Sequence, residues 1–382
     1  MVKTCTKIRA ILVAMDLKNV PLLHNTGCTR TRFDEAPLYS EGLYDLGHQV
    51  YAWLVPNGSW GESNAGLVIG NQQSLLVDTL WDANYTRQML SAMQPLTATA
   101  PIRQLVNTHA DGDHFWGNEC LPEVDSITSA SALAEMQHTL PKSLLLLGKV
   151  GRILGSLPIR RWRAIGHWMK RMVAPYAFAA VHHTPARRSF SQTLTLDVGG
   201  RTVQLMEVGP AHTAGDLIVH IPDARIVFAG DTLFIGSTPV MWAGPVENYL
   251  AALDRLEALD ADLFVPGHGP LCGREGIAQV RAYWQYIQLR VGECYRRGLS
   301  AAQAARSIAL STDFAQQPFA RWNSPERIMV STHTIYRSLK GRKDAPKVPE
   351  LLRIMMLQAA LAQRLPAAQP ACMRLSPQPA GK

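Results

Sequence analysis

A mixed fold, of the α/β or α+β kind, is predicted by three features of this chain. Short apolar runs rich in valine, isoleucine and leucine recur at strand length, and several end in an acid or an imidazole. Residues 246–259 instead space Leu250, Leu253, Leu256 and Leu259 as one face of a helix. At 382 residues, 47% hydrophobic and 18% charged, the chain can bury a large core and exceeds one average domain.

Taken in order, residues 1 to about 40 read as an N-terminal extension. Lys3 and Lys7 precede an apolar run at 10–15, but Asp16 ends it below the length of a signal-peptide core, so a cytoplasmic location is expected. Strands are predicted at 50–55 and 65–69, and Leu75-Leu76-Val77-Asp78-Thr79 is an apolar strand ending in an acid. A further strand at 102–106, bounded by Pro101, delivers Asn107-Thr108-His109-Ala110-Asp111-Gly112-Asp113-His114 to a loop. That segment crowds four metal-ligand side chains into six residues, a density that packing does not require. Imidazole with carboxylate suits zinc, and also iron or manganese.

Single histidines and acids recur downstream. His212 and Asp216 follow a strand-like run at 203–208, Asp231 ends another at 226–232, and His268 lies in Val265-Pro266-Gly267-His268-Gly269-Pro270, where the glycines permit a turn. Taken singly, each also fits a plainer role: a turn cap for Asp78, a satisfied loop histidine for His212, punctuation around His268. Runs at 217–221 and 226–229 flank Pro222-Asp223-Ala224-Arg225 as a hairpin, which places Asp231 at a strand exit. Helices are expected at 277–297, 301–309 and 325–339, the last with Ser324 as N-cap and Pro325 at its first position. A short helix at 351–365 and a Pro- and Ala-rich, partly disordered tail complete the chain.

In this order and spacing, these residues resemble the metallo-β-lactamase superfamily. Its motifs are an Asp after an early strand, His-x-His-x-Asp-His, a lone His, a lone Asp and a final His, here spread over about 67–270. The resemblance implies an αββα sandwich over about 41–275, with helices at 276–345 and a tail at 346–382. It assigns His109 and His212 to one metal position, Asp113, His114 and His268 to a second, and Asp231 as a bridge between them. Asp78 becomes a residue orienting the ligand loop, and Asp216 either a second such residue or a strand-entry residue. Asp111 stands where the family usually has its second histidine. A carboxylate there adds negative charge and hardness, which leaves three states open: two zinc ions, an iron-containing pair, or one metal at Asp113, His114 and His268.

A divalent ion lowers the pKa of water to about 7 and polarises the oxygen under attack, so no serine or cysteine nucleophile is needed. The chain has neither a Gly-x-Ser-x-Gly elbow nor a phosphate-cradling loop. The leading function is therefore a metal-dependent hydrolase of an ester, thioester, lactone or amide, with Asp113 and Asp231 at the chemistry and Asp231 or water returning the proton. The alternatives are an iron-dependent persulfide-type dioxygenase, a β-lactamase or phosphodiesterase, and a binding protein with a degenerate metal site. A cytoplasmic location weighs against the β-lactamase. Cys5, Cys28, Cys120, Cys272, Cys294 and Cys372 form no Cys-x-x-Cys pair, which fits reduced thiols.

Residues 141–188 carry ten Lys and Arg and no acid, inside a helical insertion at about 135–190. Basic amphipathic helices are expected there. They act as a plain packed insertion, as a lid favouring an acyl or anionic small-molecule substrate, or as a contact for a membrane surface or nucleic acid. The sequence carries no further nuclease motif, and the oligomeric state has no sequence signature.

Overall fold

The structure is a computed structural model that describes residues 17–342 and 346–365. The apolar run at 10–15 and the Pro-rich tail lie outside the described residues. Two mixed sheets form the centre. The first has eight strands in sequence order: β1 (Leu22–Asn25), β2 (Gly42–Asp45), β3 (Val50–Leu54), β4 (Ala65–Ile69), β5 (Ser74–Val77), β6 (Ile102–Val106), β7 (Asp125–Ser129) and β8 (Arg188–Phe190). Pairing is antiparallel as far as β5 and parallel from β5 to β8. The second sheet holds β9 (Thr193–Val198), β10 (Arg201–Glu207), β11 (Leu217–Ile221), β12 (Ile226–Phe234) and β13 (Leu263–His268), with only β12 and β13 parallel.

Alternation along the strands builds the layers, because successive side chains face opposite sides of a sheet. Leu75 and Val77 from the first sheet meet Val203, Leu205, Leu217, Val219 and Phe228 from the second in a shared core. Their neighbour Leu76 faces outward with Trp53 and Leu67 onto Met89 and Met93 of helix α1 (Ala83–Thr97). Ile218 and Val227 of the second sheet face the opposite way, onto α6 (Val246–Glu257) and α7 (Arg274–Arg296), after α2 (Gly112–Phe115), α3 (Ala130–Met136), α4 (Lys142–Ser156) and α5 (Arg160–Val173) have intervened in the chain. The result is the αββα sandwich that the sequence implied. The outer helical layer is completed by α8 (Ala301–Ala309), α9 (Thr312–Ala315), α10 (Ile328–Leu339) and α11 (Val348–Ala362).

The expected extension contributes an edge strand, since β1 pairs with β2. The basic insertion forms the hairpin α4–α5, whose helices meet at glycines: a Cβ on Gly166 would strike backbone atoms of Gly151 and Gly155. Trp168, Met169 and Met172 of α5 are buried in the core that also takes Ile354, Met355 and Leu361 of α11. The helix expected at 351–365 thus starts earlier, at Val348, and packs as part of the outer layer. Two expectations are corrected. Ser324 is not an N-cap: its φ of 59° is left-handed, its side chain makes no capping bond, and a 3-10 turn at Pro325–Arg327 precedes α10. Asp231 does not end its strand either, because β12 resumes pairing after an irregularity at Gly230 and runs to Phe234.

Candidate metal centre

Strands of both sheets bring the candidate ligands and their supports to one edge of the sandwich. β5 leads into Asp78 and β6 into the segment 107–115, whose last four residues wind into α2. The turn between β10 and β11 carries His212 and Asp216, while Asp231 and His268 sit side by side on the parallel pair β12 and β13. The structure brings all seven proposed ligands together. His109, Asp111 and His212 place ligand atoms within 4.8 Å of one another, as do Asp113, His114 and His268, and a third group joins His109, His114 and Asp231. Asp231 lies between the first two sets, with Oδ2 at 3.2 Å from His212 Nε2 and 3.4 Å from His268 Nε2. His114 Nε2 stands 3.2 Å from its other oxygen.

Each imidazole is held by its second nitrogen. His114 Nδ1 donates to Asp78 Oδ2 at 2.9 Å, and Asp78 also accepts from the Thr108 backbone N–H and hydroxyl, both at 2.7 Å. With its own proton committed there, the Thr108 hydroxyl accepts from His109 Nδ1 at 3.0 Å. His212 Nδ1 donates to Val240 O at 2.8 Å, and His268 Nδ1 to Glu62 O at 3.0 Å. Such partners fix each ring and turn its Nε2 atom toward the other candidate ligands. Asp216 supports His212 through the backbone, accepting from the N–H of Ala211 and Thr213 and from the Thr213 hydroxyl.

His109 Nε2, His114 Nε2 and Asp231 Oδ1 are buried without a hydrogen bond; the His114–Asp231 approach is close but not aligned for one. Unpartnered buried polar atoms are costly, and here they converge on one point, as a cation would require. The donor set of four imidazoles and three carboxylates fits a borderline divalent ion such as zinc. Without one, the charges settle among themselves. Burial would raise the Asp231 carboxyl, but His268, His114, His212 and His109 hold it well below the usual range. Burial lowers His109, while Asp231 and Asp78 outweigh burial at His114 and raise it. His212, against burial, is pushed up to about 10 by Asp231 and Asp111.

Several contributors carry no sequence signal. Trp242 Nε1 donates to Asp111 Oδ2 at 3.0 Å across 131 residues, and the Trp242 backbone N–H donates to His212 O at 2.7 Å. His212 Nε2 lies 3.1 Å from the same Asp111 oxygen. A Cβ on Gly267 would collide with Asp231 Oδ1, so the glycine there makes room for that carboxylate as well as the turn. Asn64 ties β13 to the first sheet, donating to Pro266 O and Gly269 O from its side chain and to Gly267 O from its backbone. Cys28, Cys120, Cys272 and Cys294 are free thiols outside the ligand groups.

A family model described as the metallo-beta-lactamase superfamily matches residues 58–268, more than half of the chain, a span within which all seven proposed ligands fall. The chain belongs to that superfamily. Among its curated relatives, the 2,4-dinitroanisole O-demethylase subunit alpha of Nocardioides sp. (strain JS1661) is 23% identical, over 71% of this chain and 74% of the relative. The acyl-coenzyme A thioesterase MBLAC2 of Gallus gallus is 27% identical over 73% of this chain and 94% of its own length. The linear primary-alkylsulfatase of Pseudomonas sp. (strain ATCC 19151) is 26% identical over 63% of this chain, which spans about half (49%) of that relative. The chain is accordingly a metallo-hydrolase whose His and Asp clusters could hold metal ions.

Proposed function

We propose that this chain hydrolyses an ester-type acyl bond of a small molecule, a thioester first among them, using two zinc ions. The observation that carries the reading is the pair of ligand groups placed on either side of one buried carboxylate, Asp231. His109, Asp111 and His212 would hold one ion, Asp113, His114 and His268 the other, and Asp231 would bridge them. The ions would supply a nucleophilic hydroxide at neutral pH and an electrophile for the developing oxyanion. The chain's own residues orient and exclude. Asp78 and Thr108 fix the rings of His114 and His109, Val240 O fixes His212, and Glu62 O fixes His268. Burial of these imidazoles and of Asp231 keeps bulk water from competing.

The low pKa of Asp231 suits a bridging ligand better than a proton donor, so proton return to the leaving group falls to solvent. Thioesters lead because the thioesterase relative is covered over 94% of its length. A panel of acyl-coenzyme A and glutathione thioesters, aryl esters, lactones, an aryl methyl ether and alkyl sulfates tests the class. Turnover of a thioester or ester, abolished by chelator and restored by zinc, is expected; turnover confined to the sulfate or ether would overturn it.

Asp111 favours a second reading, because a carboxylate in place of an imidazole hardens one position toward iron. Oxygen consumption with a glutathione persulfide by iron-loaded protein distinguishes the two readings.

A further inference from the structure

We propose that the tip and outer face of the α4–α5 hairpin form a docking surface for an anionic lipid bilayer. Lys142, Lys149, Arg152, Arg160, Arg161, Arg163, Lys170 and Arg171 are all exposed, and among the described residues none of them has an ion-pair partner. No acid occurs between Glu135 and Asp197, so nothing within the hairpin itself opposes its charge. Charge alone describes an ordinary solvated face. The second observation is apolar: of nine large hydrophobic side chains exposed among the described residues, four (Leu145, Leu146, Ile153 and Ile159) fall within fifteen residues of this hairpin. Ile153 is 64% and Ile159 57% exposed, and Arg152 and Arg160 flank them in sequence.

The spacing sorts these residues by face. Lys142, Leu145, Leu146, Lys149, Arg152 and Ile153 recur three and four apart along α4 and form one outward stripe, while Leu147 and Gly151 turn inward onto α5. Pro158 and Ile159 then cap the hairpin just before the arginines that open α5. A surface that interleaves aliphatic side chains with cations matches the boundary between headgroups and acyl chains, where the first insert and the second meet phosphate.

Other occupants fit less well. A second copy would bring two sets of unpaired cations face to face. Nucleic acid would meet the arginines but leave the isoleucines in water. The chain outside the described residues offers only Asp16 and Asp344 as acids, too few to neutralise the face. The inner face of the hairpin is fixed to the catalytic unit: Trp168 packs edge-on against Trp60 at 6.3 Å, and Tyr176 donates to Trp60 O, two residues from the Glu62 carbonyl that holds His268.

The test is sedimentation of the full chain with vesicles of phosphatidylcholine alone and with about one-third phosphatidylglycerol. Two variants accompany it, I153S/I159S and R160Q/R161Q/R163Q, neither of which touches the metal centre. Binding to the anionic vesicles is expected to exceed binding to neutral ones at least about tenfold and to fall by about tenfold in each variant, with metal content and thermal melting unchanged. The proposal is overturned by equal binding to both vesicles, by no binding to either, or by undiminished binding of the isoleucine variant. It is also overturned if a short DNA or RNA duplex binds more tightly than the anionic vesicles, or if sedimentation equilibrium shows a dimer that the isoleucine variant dissociates.

Discussion

Gly267 and Trp242 each touch one of the proposed ligands without being among them, Asp231 and Asp111 respectively, and so offer a way to test it. The backbone of Gly267 is not in the left-handed region, so Gly267→Ala meets no φ penalty; its methyl group meets Asp231 Oδ1 first and the Gly230 backbone carbon beside it. The variant is predicted to fold and to bind metal about 10–100-fold more weakly, as read by competition with a chromophoric chelator. Unchanged affinity would remove Asp231 from the bridge. Trp242→Phe keeps an aromatic, apolar side chain but loses the N–H that Asp111 accepts. A loss of about tenfold in affinity is expected, and little or none when Asp111 is already His, since the indole would then face a different group. Additive losses in that double-mutant cycle would mean that Trp242 acts elsewhere. Neither residue is legible in the sequence as a site residue, because the Trp242–Asp111 contact joins distant segments with no fixed spacing. Gly267 reads there only as turn chemistry.

The elements divide along the same line. β6 matches its sequence-read range of 102–106, because Pro101 and the ligand cluster mark both ends, and α8 matches 301–309. β12 extends beyond its sequence-read range: Gly230 adopts φ 51° between two register shifts, and β13, the partner that pairs it on both sides of them, follows only after α6. Ser324 carries the composition of an N-cap, but the loop that returns from α9 imposes a left-handed backbone which only coordinates reveal. The α4–α5 hairpin was legible as basic and amphipathic, whereas its glycine crossing was not. Gly166→Ala should gain up to ~1 kcal/mol of helix propensity but drive a methyl into the backbone of α4. Overpacking of this kind costs about 1–3 kcal/mol, so net destabilisation in urea unfolding is predicted. Increased stability would mean that the helices are free to separate.

At the scale of the whole molecule, stability and metal loading are linked through the buried charges. His212 has a folded value of about 10 against an ordinary 6.5, so in metal-free protein its stabilisation is full below pH 6.5 and fades as pH rises toward 10. Asp231 is depressed below 3.8, and its contribution is present above that value and lost as pH falls through the folded one. On the proposed ligand set metal binding runs the other way, because the protons on His114 and His212 would have to leave before the nitrogens could ligate. The gap in melting temperature between zinc-loaded and chelator-treated protein should therefore widen from about pH 6 to about pH 9, measured by scanning fluorimetry. A gap that narrows would show that these imidazoles are not the ligands.

The most direct test of a two-ion centre bridged by Asp231 is metal content per chain, by elemental mass spectrometry, on wild type, Asp231→Ala and Asp111→His. Two zinc ions in wild type, near-complete loss in the alanine variant and no gain in the histidine variant are predicted. A single ion in wild type that becomes two only with histidine at position 111 would contradict it.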